Sequence, residues 1–219
     1  MISAAIVPID EAGVRGFLHS PENPARDGLI LTHGAGANCQ SPLLVALARE
    51  LCRSGFTVLR FDLPFRQLRP HGPPMRGSDK RDREGIRAAV EFLRTRVNGR
   101  VFAGGHSYGG RQTTMLLAEK PQLADGLLLL SYPLHPPKKP DQMRTAHFPD
   151  LRTPALFVHG SRDGFGSIEE MSAALKLIHA RTELLEIEGA GHELLSKRND
   201  SELPRRIVEA FAAMFPANQ

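Results

Sequence analysis

The run Val101-Phe102-Ala103-Gly104-Gly105-His106-Ser107-Tyr108-Gly109-Gly110 holds the clearest signal of the fold. Val101 to Ala103 has the character of a short buried strand, and a helix is expected from about Gly110 to Glu119. Between them a serine stands with glycine two places before and two places after it. A sharp strand-to-helix turn needs that pattern, because larger side chains at the flanking positions would collide in so tight a bend. By itself G-x-S-x-G is a weak signal; its place between a strand and a helix gives it weight.

Outward from this turn, strands and helices alternate. The first twenty residues alternate weakly around Asp10 to Gly13, as an antiparallel hairpin at a sheet edge would. Leu29 to Thr32 is a strand that runs into His33-Gly34-Ala35-Gly36. Leu43, Leu44, Leu47, Ala48, Leu51 and Cys52 then recur at helical spacing up to Gly55, a C-terminal stop. Phe56 to Phe61 is again strand, Asp62 to Ser78 with its four prolines is expected as loop, and Asp79 to Val97 as helix. Further strands are expected at Leu127 to Leu130, Ala155 to Val158 and Leu184 to Ile187, with helices near Ile168 to His179 and Ser201 to Phe215. This order predicts an α/β fold: a mostly parallel sheet, helices on both faces, and chemistry in the loops after the strand C-termini.

Composition agrees. The chain has 219 residues, 41% hydrophobic and 24% charged, which suits one domain over residues 1–219 and excludes disorder and coiled coil. Gly and Pro are plentiful, at 20 and 17, as tight turns require. No run nears the ~18 apolar residues of a membrane span. The first ten residues lack a basic segment and are broken by Pro8 and Asp10, so no secretory signal is read and a cytoplasmic location is expected. Cys39 and Cys52, without paired ligand spacing, imply neither disulfide nor metal site. No cofactor is expected.

Net charge is only +4, yet Arg60 to Arg100 holds eleven basic residues against five acidic ones. Interleaved acids and scarce aromatics favour a solvated loop and helix face over a polyanion site, so no nucleic-acid partner is expected.

A serine hydroxyl becomes nucleophilic only when a histidine takes its proton and an acid orients that histidine. In this architecture the chain order is Ser, acid, His. Ser107 is followed by His159-Gly160-Ser161-Arg162-Asp163 after one strand and Gly189-Ala190-Gly191-His192 after the last, which selects Asp163 and His192. Asp125 precedes a strand, Asp141 and Asp150 lie in a Pro-rich connection, and Asp200 follows His192. His33 and His159 end strands before His-Gly turns and suit structural roles, while His106 adjoins the serine and should point away from its hydroxyl. The oxyanion needs two donors, for which the amides of Ala35 and Tyr108 are placed.

Thr32-His33-Gly34-Ala35-Gly36, Phe61-Asp62-Leu63-Pro64-Phe65, Gly104-Gly105-His106-Ser107-Tyr108-Gly109-Gly110-Arg111, Tyr132-Pro133-Leu134-His135-Pro136-Pro137 and Gly160-Ser161-Arg162-Asp163-Gly164-Phe165-Gly166 carry a resemblance. The sequence resembles small α/β-hydrolases of the dienelactone-hydrolase-like group, in particular the family of testis-expressed protein 30 and the hydrolase-like domain of non-specific lethal complex subunit 3. The resemblance spans nearly the whole chain and implies a serine hydrolase arrangement on Ser107, Asp163 and His192. Three positions depart from it. Tyr108 stands where methionine is common, His106 where Lys or Arg is usual, and Gly164 where proline is frequent. Dienelactone hydrolase itself carries cysteine at the elbow, so Ser107 argues against that activity.

The expected function is therefore hydrolysis of a small ester or thioester through an acyl-enzyme, with a small-molecule acyl substrate as partner. A hydrolase-like interaction module with little turnover is the alternative, since relatives include subunits of larger assemblies. Only about twenty residues, Pro133 to Thr153, join two strands where many relatives insert a cap, so an open site is expected. That connection carries His135, Lys138, Lys139 and Arg144. A solvated loop is the plain reading of those charges, an anionic substrate the sharper one, with His135 assigned to substrate binding.

Overall fold

The computed structural model describes residues 5–22, 27–197 and 199–216. Its sheet is built from β1 (Ala5–Glu11), β2 (Val14–Ser20), β3 (Gly28–Thr32), β4 (Thr57–Phe61), β5 (Val101–His106), β6 (Leu127–Leu130), β7 (Ala155–Gly160) and β8 (Thr182–Ile187). Their order across the sheet is β1-β2-β4-β3-β5-β6-β7-β8. Only the β1–β2 and β2–β4 pairings are antiparallel; every pairing from β4 through β8 is parallel. The hairpin turns at Ala12 and Gly13, both at positive φ (52° and 76°), as a two-residue turn matched to strand twist demands. Pro8 pairs in register with Phe17 on the outermost strand, β1, where a missing N–H breaks no ladder.

Helices α1 (Pro42–Arg53), α2 (Pro64–Leu68), α3 (Asp79–Arg94), α4 (Tyr108–Glu119), α5 (Ile168–Leu175) and α6 (Leu203–Met214) cover both faces. The central strands read as unbroken apolar runs because each face is buried. Leu127 and Leu129 pack with α3, α4 and α5 in one core layer, while Leu128 and Leu130 pack with α1 and α6 in the other. The α1 residues Leu44, Leu47 and Leu51 are fully buried. Each such side chain contributes about 1.5–3 kcal/mol of hydrophobic transfer energy.

Three expectations are corrected. The segment expected as loop contains α2, a five-residue helix too short to show a period; Pro64 opens it at the first helical position, where no N–H is needed. Strand β5 runs on through both glycines to His106, because Leu128 O lies where a Gly104 side chain would begin. Helix α5 also stops at Leu175, short of His179.

The β6-to-β7 connection contains only a 3₁₀ turn at Phe148–Asp150, so among the described residues no cap domain stands over the strand ends. The C-termini of β3, β5, β7 and β8 lead to His33–Ala37, Ser107, Ser161–Asp163 and Gly189–His192. Four loops far apart in sequence meet at one edge of the sheet.

Candidate active site

Ser107 joins β5 to α4 at φ 51° and ψ −115°, a conformation that costs a non-glycine residue about 1–3 kcal/mol and persists only where its surroundings enforce it. They do so here. A side chain at Gly105 would begin 2.5 Å from Thr32 O, and one at Gly109 would begin 2.6 Å from His33 O. The Ser107 amide donates to Leu130 O at 2.8 Å, and its carbonyl accepts from Arg111 N at 2.9 Å, closing the first turn of α4. The hydroxyl is thereby held above the ends of the parallel strands.

There it meets the predicted partners. Ser107 Oγ lies 2.8 Å from His192 Nε2, and His192 Nδ1 lies 2.8 Å and 3.0 Å from the two carboxylate oxygens of Asp163. With Nδ1–H donating to Asp163, Nε2 is left to accept from the serine. The Asp163 side chain is fully buried and also accepts from Phe165 N at 2.8 Å. Burial alone would raise its pKa, but the hydrogen bond and charge of His192 outweigh that, helped by the Phe165 amide, and hold it below the ordinary carboxylate value. Phe165 lies against the His192 ring, with centroids 4.2 Å apart and 31° between planes.

Three other histidines do structural work. His33 Nδ1–H donates to Gly34 O at 2.8 Å while Nε2 accepts from Leu63 N at 3.1 Å, an arrangement that requires a neutral ring. Burial agrees, pushing its pKa down to about 4. His106 points away from the serine and donates from Nε2 to the His192 carbonyl at 2.8 Å, tying the β5 end to the histidine loop. His159 donates to Gly166 O at 2.8 Å and lies 3.8 Å from Asp163 Oδ2, closing the acid loop from beneath.

Ala35 and Tyr108 flank the serine as expected. Neither backbone amide has a hydrogen-bond acceptor among the described residues; for Tyr108, the first residue of α4, this follows from its place at a helix start. The Tyr108 side chain turns away, donating to the buried carboxylate of Asp82 at 2.7 Å and packing edge-on against Phe65. Gly34 to Ala37, Ser107, Phe165 and His192 border an open cleft of about 360 Å³.

His135, expected at the substrate, lies outside the residues that border this cleft. Its ring is buried, with Nδ1 donating to Pro136 O at 2.8 Å and Nε2 3.3 Å from Glu170. Glu170 in turn completes the capping box at the start of α5. His135 therefore braces its loop and does not border the cleft.

Sequence reasoning missed Arg66. Its buried guanidinium donates to Ala35 O (3.0 Å), Ala37 O (2.8 Å), Arg69 O (3.1 Å) and Gly72 O (2.9 Å). It fixes the loop that carries the Ala35 amide to α2, and no spacing in the sequence marks it. Asp62 helps from the other side, accepting from Cys39 N at 2.7 Å.

Residues 25–216 match the family described as alpha/beta hydrolase domain. The chain belongs to the α/β-hydrolase family. Among solved structures, this α/β-hydrolase is similar to TT1662 from Thermus thermophilus, with TM-score 0.78 and 22% identity over 99% of this chain and 100% of that one. It is also similar to a dienelactone hydrolase from Anabaena variabilis, with TM-score 0.73 and 21% identity over 97% of each chain. Est1E from Butyrivibrio proteoclasticus, with ferulic acid bound, aligns at TM-score 0.76 and 18% identity over 95% of this chain and 98% of that one. At these identities the likeness establishes the fold. Among the described residues, no three His, Cys, Asp or Glu side chains are grouped as metal ligands.

Proposed function

We propose that the protein is a serine hydrolase that cleaves small esters or thioesters through an acyl-enzyme. The observation that carries this reading is the unbroken hydrogen-bond relay from Ser107 Oγ through His192 to the fully buried Asp163. In the first step His192 Nε2 takes the Ser107 proton as Oγ bonds to the carbonyl carbon, and the carbonyl oxygen becomes an oxyanion facing the amides of Ala35 and Tyr108. His192 then passes the proton to the leaving alcohol or thiol as the old bond breaks. Water, deprotonated by the same imidazole, releases the acid and restores Ser107.

Esters and thioesters are preferred over amides because their leaving groups depart more easily. The uncapped strand ends support short or exposed acyl groups. Membership of the narrower family named above is part of the proposal.

The test is labelling by a fluorophosphonate probe alongside hydrolysis of a graded panel of acyl esters and thioesters. Wild-type protein is expected to label and turn over. Ser107→Ala is expected to lose the label and about 10⁴–10⁶ of the rate while keeping its melting temperature. A folded wild-type chain that neither labels nor hydrolyses any panel member overturns the reading in favour of an interaction module.

A further inference from the structure

The basic residues of the Arg60–Arg100 segment lie mostly at the surface, with only Arg60 and Arg66 buried. Most of its cations are consumed within the protein. Arg60 donates to His19 and to the Cys39 carbonyl, and Arg66 to four carbonyls. Arg83 pairs with Asp79, Arg87 with Glu84 and Glu91, Arg96 with Glu11, and Arg100 with Asp27. Arg94 reaches Leu123 O and Asp125. The segment's acids are spent too. Asp79, Glu84 and Glu91 are taken by these arginines, Asp62 by Cys39 N, and Asp82 by Tyr108 and Phe65 N.

Four cations remain without a carboxylate within 4 Å among the described residues: Arg69, Arg76, Lys80 and Arg81. Three of the four border one cleft. This cleft, of about 360 Å³, lies between α2 and the first turn of α3 and shares no lining residue with the one beside Ser107. Its other walls are Phe65, Leu68, Pro73 and Met75, and no carboxylate borders it. Leu68 and Met75 are 65% and 62% exposed, an unusual outlay of apolar surface next to three unpaired guanidinium groups.

A site with these two components matches a ligand with the same two parts. Three guanidinium groups suit a dianionic head of tetrahedral oxygens, which arginine can grip in bidentate fashion. The apolar wall suits a short alkyl chain. We infer that the α2–α3 cleft binds an amphiphilic phosphate, an alkyl chain ending in a phosphate monoester, with Arg69, Arg76 and Arg81 on the head and Leu68, Met75 and Phe65 on the chain. The inference does not depend on the acyl-transfer reading, since it concerns a different cleft and is tested by binding alone.

Calorimetric titration of the full chain with octyl phosphate, octanol and inorganic phosphate tests it. Octyl phosphate is expected to bind at least tenfold more tightly than either fragment. The double variant R76Q/R81Q, at two exposed positions, is expected to weaken it tenfold or more, and Met75→Ser to weaken it less. Gly36→Trp, which crowds the cleft beside Ser107, is expected to leave it unchanged. The proposal is overturned by no measurable binding, by octanol or inorganic phosphate binding as tightly as octyl phosphate, by wild-type affinity in R76Q/R81Q, or by loss of binding in Gly36→Trp.

Discussion

Two clefts, each of about 360 Å³, are finished to different degrees. Beside Ser107 the polar side chains answer one another: the hydroxyl faces His192, the imidazole faces Asp163, and the carboxylate is closed by Phe165 N. In the α2–α3 cleft three guanidinium groups face solvent with no carboxylate partner among the described residues. The first arrangement is preorganised, so its groups need little movement during a reaction. The second has its recognition groups but lacks the counter-charge, which an incoming ligand would bring. Arg66 belongs to the wall between them, gripping Ala35 on one side and Gly72 on the other.

The comparison breaks most visibly at Asp163. Asp163→Asn keeps the shape but cannot hold His192 in the tautomer that accepts the serine proton. Ester turnover is expected to fall about 10⁴-fold, with the octyl phosphate affinity unchanged. Steady-state rates and calorimetry on one preparation check both halves. A tenfold loss or less would mean that the relay contributes little.

Arg66 sharpens the boundary. Arg66→Met removes the bonds to Ala35 and Ala37 carbonyls, so the Ala35 amide loses its fixed aim. The expected result is a fall in kcat of about 10- to 100-fold, below the 10²–10³ seen when an oxyanion donor is deleted outright, with little change in KM. Arg66→Lys, which cannot span the same carbonyls, is expected to recover only a small part. A change confined to KM would place Arg66 in substrate binding instead.

How much of this could be read from the chain follows from where each signal lives. The elbow, the alternation of strands and helices and the Ser-acid-His sequence leave local marks: glycines at fixed offsets, apolar runs, and polar residues after strands. Arg66 leaves none, since the carbonyls it holds at Ala35 and Ala37 are about thirty positions away and any residue can supply a carbonyl. His135 misleads for a related reason. A histidine in a Pro-rich connection has the same letters whether it faces solvent or, as here, caps its ring nitrogens with Pro136 and Glu170. The arginine cleft was hidden by arithmetic alone, because counting eleven cations does not say which seven are used.

The smallest expected effect distinguishes buried structural histidines from the relay. His19, His33 and His147 are each held down to about 4, in every case chiefly by burial. Their folded pKa lies below the unfolded ~6.5, so the unfolded chain binds more protons between these values. Their contribution to stability is full above pH 6.5 and is lost as pH falls toward 4. Each adds a slope of up to about 1.4 kcal/mol per pH unit in that window. Urea unfolding at several pH values is expected to show this slope, reduced by about one proton in His147→Gln, where the side chain can still reach Thr114. An unchanged slope in that variant would remove His147 from the account.

Pro8 has a consequence beyond its own strand. A bare sheet margin is a template on which a second molecule can lay a strand, the first step toward aggregation. In β1 the donor row is interrupted by the imino acid, while Asp10 and Glu11 after it are paired with Arg15 and Arg96. Another copy approaching in register would meet a missing donor, so this margin resists self-assembly even though Ile6 and Val7 lie open to water.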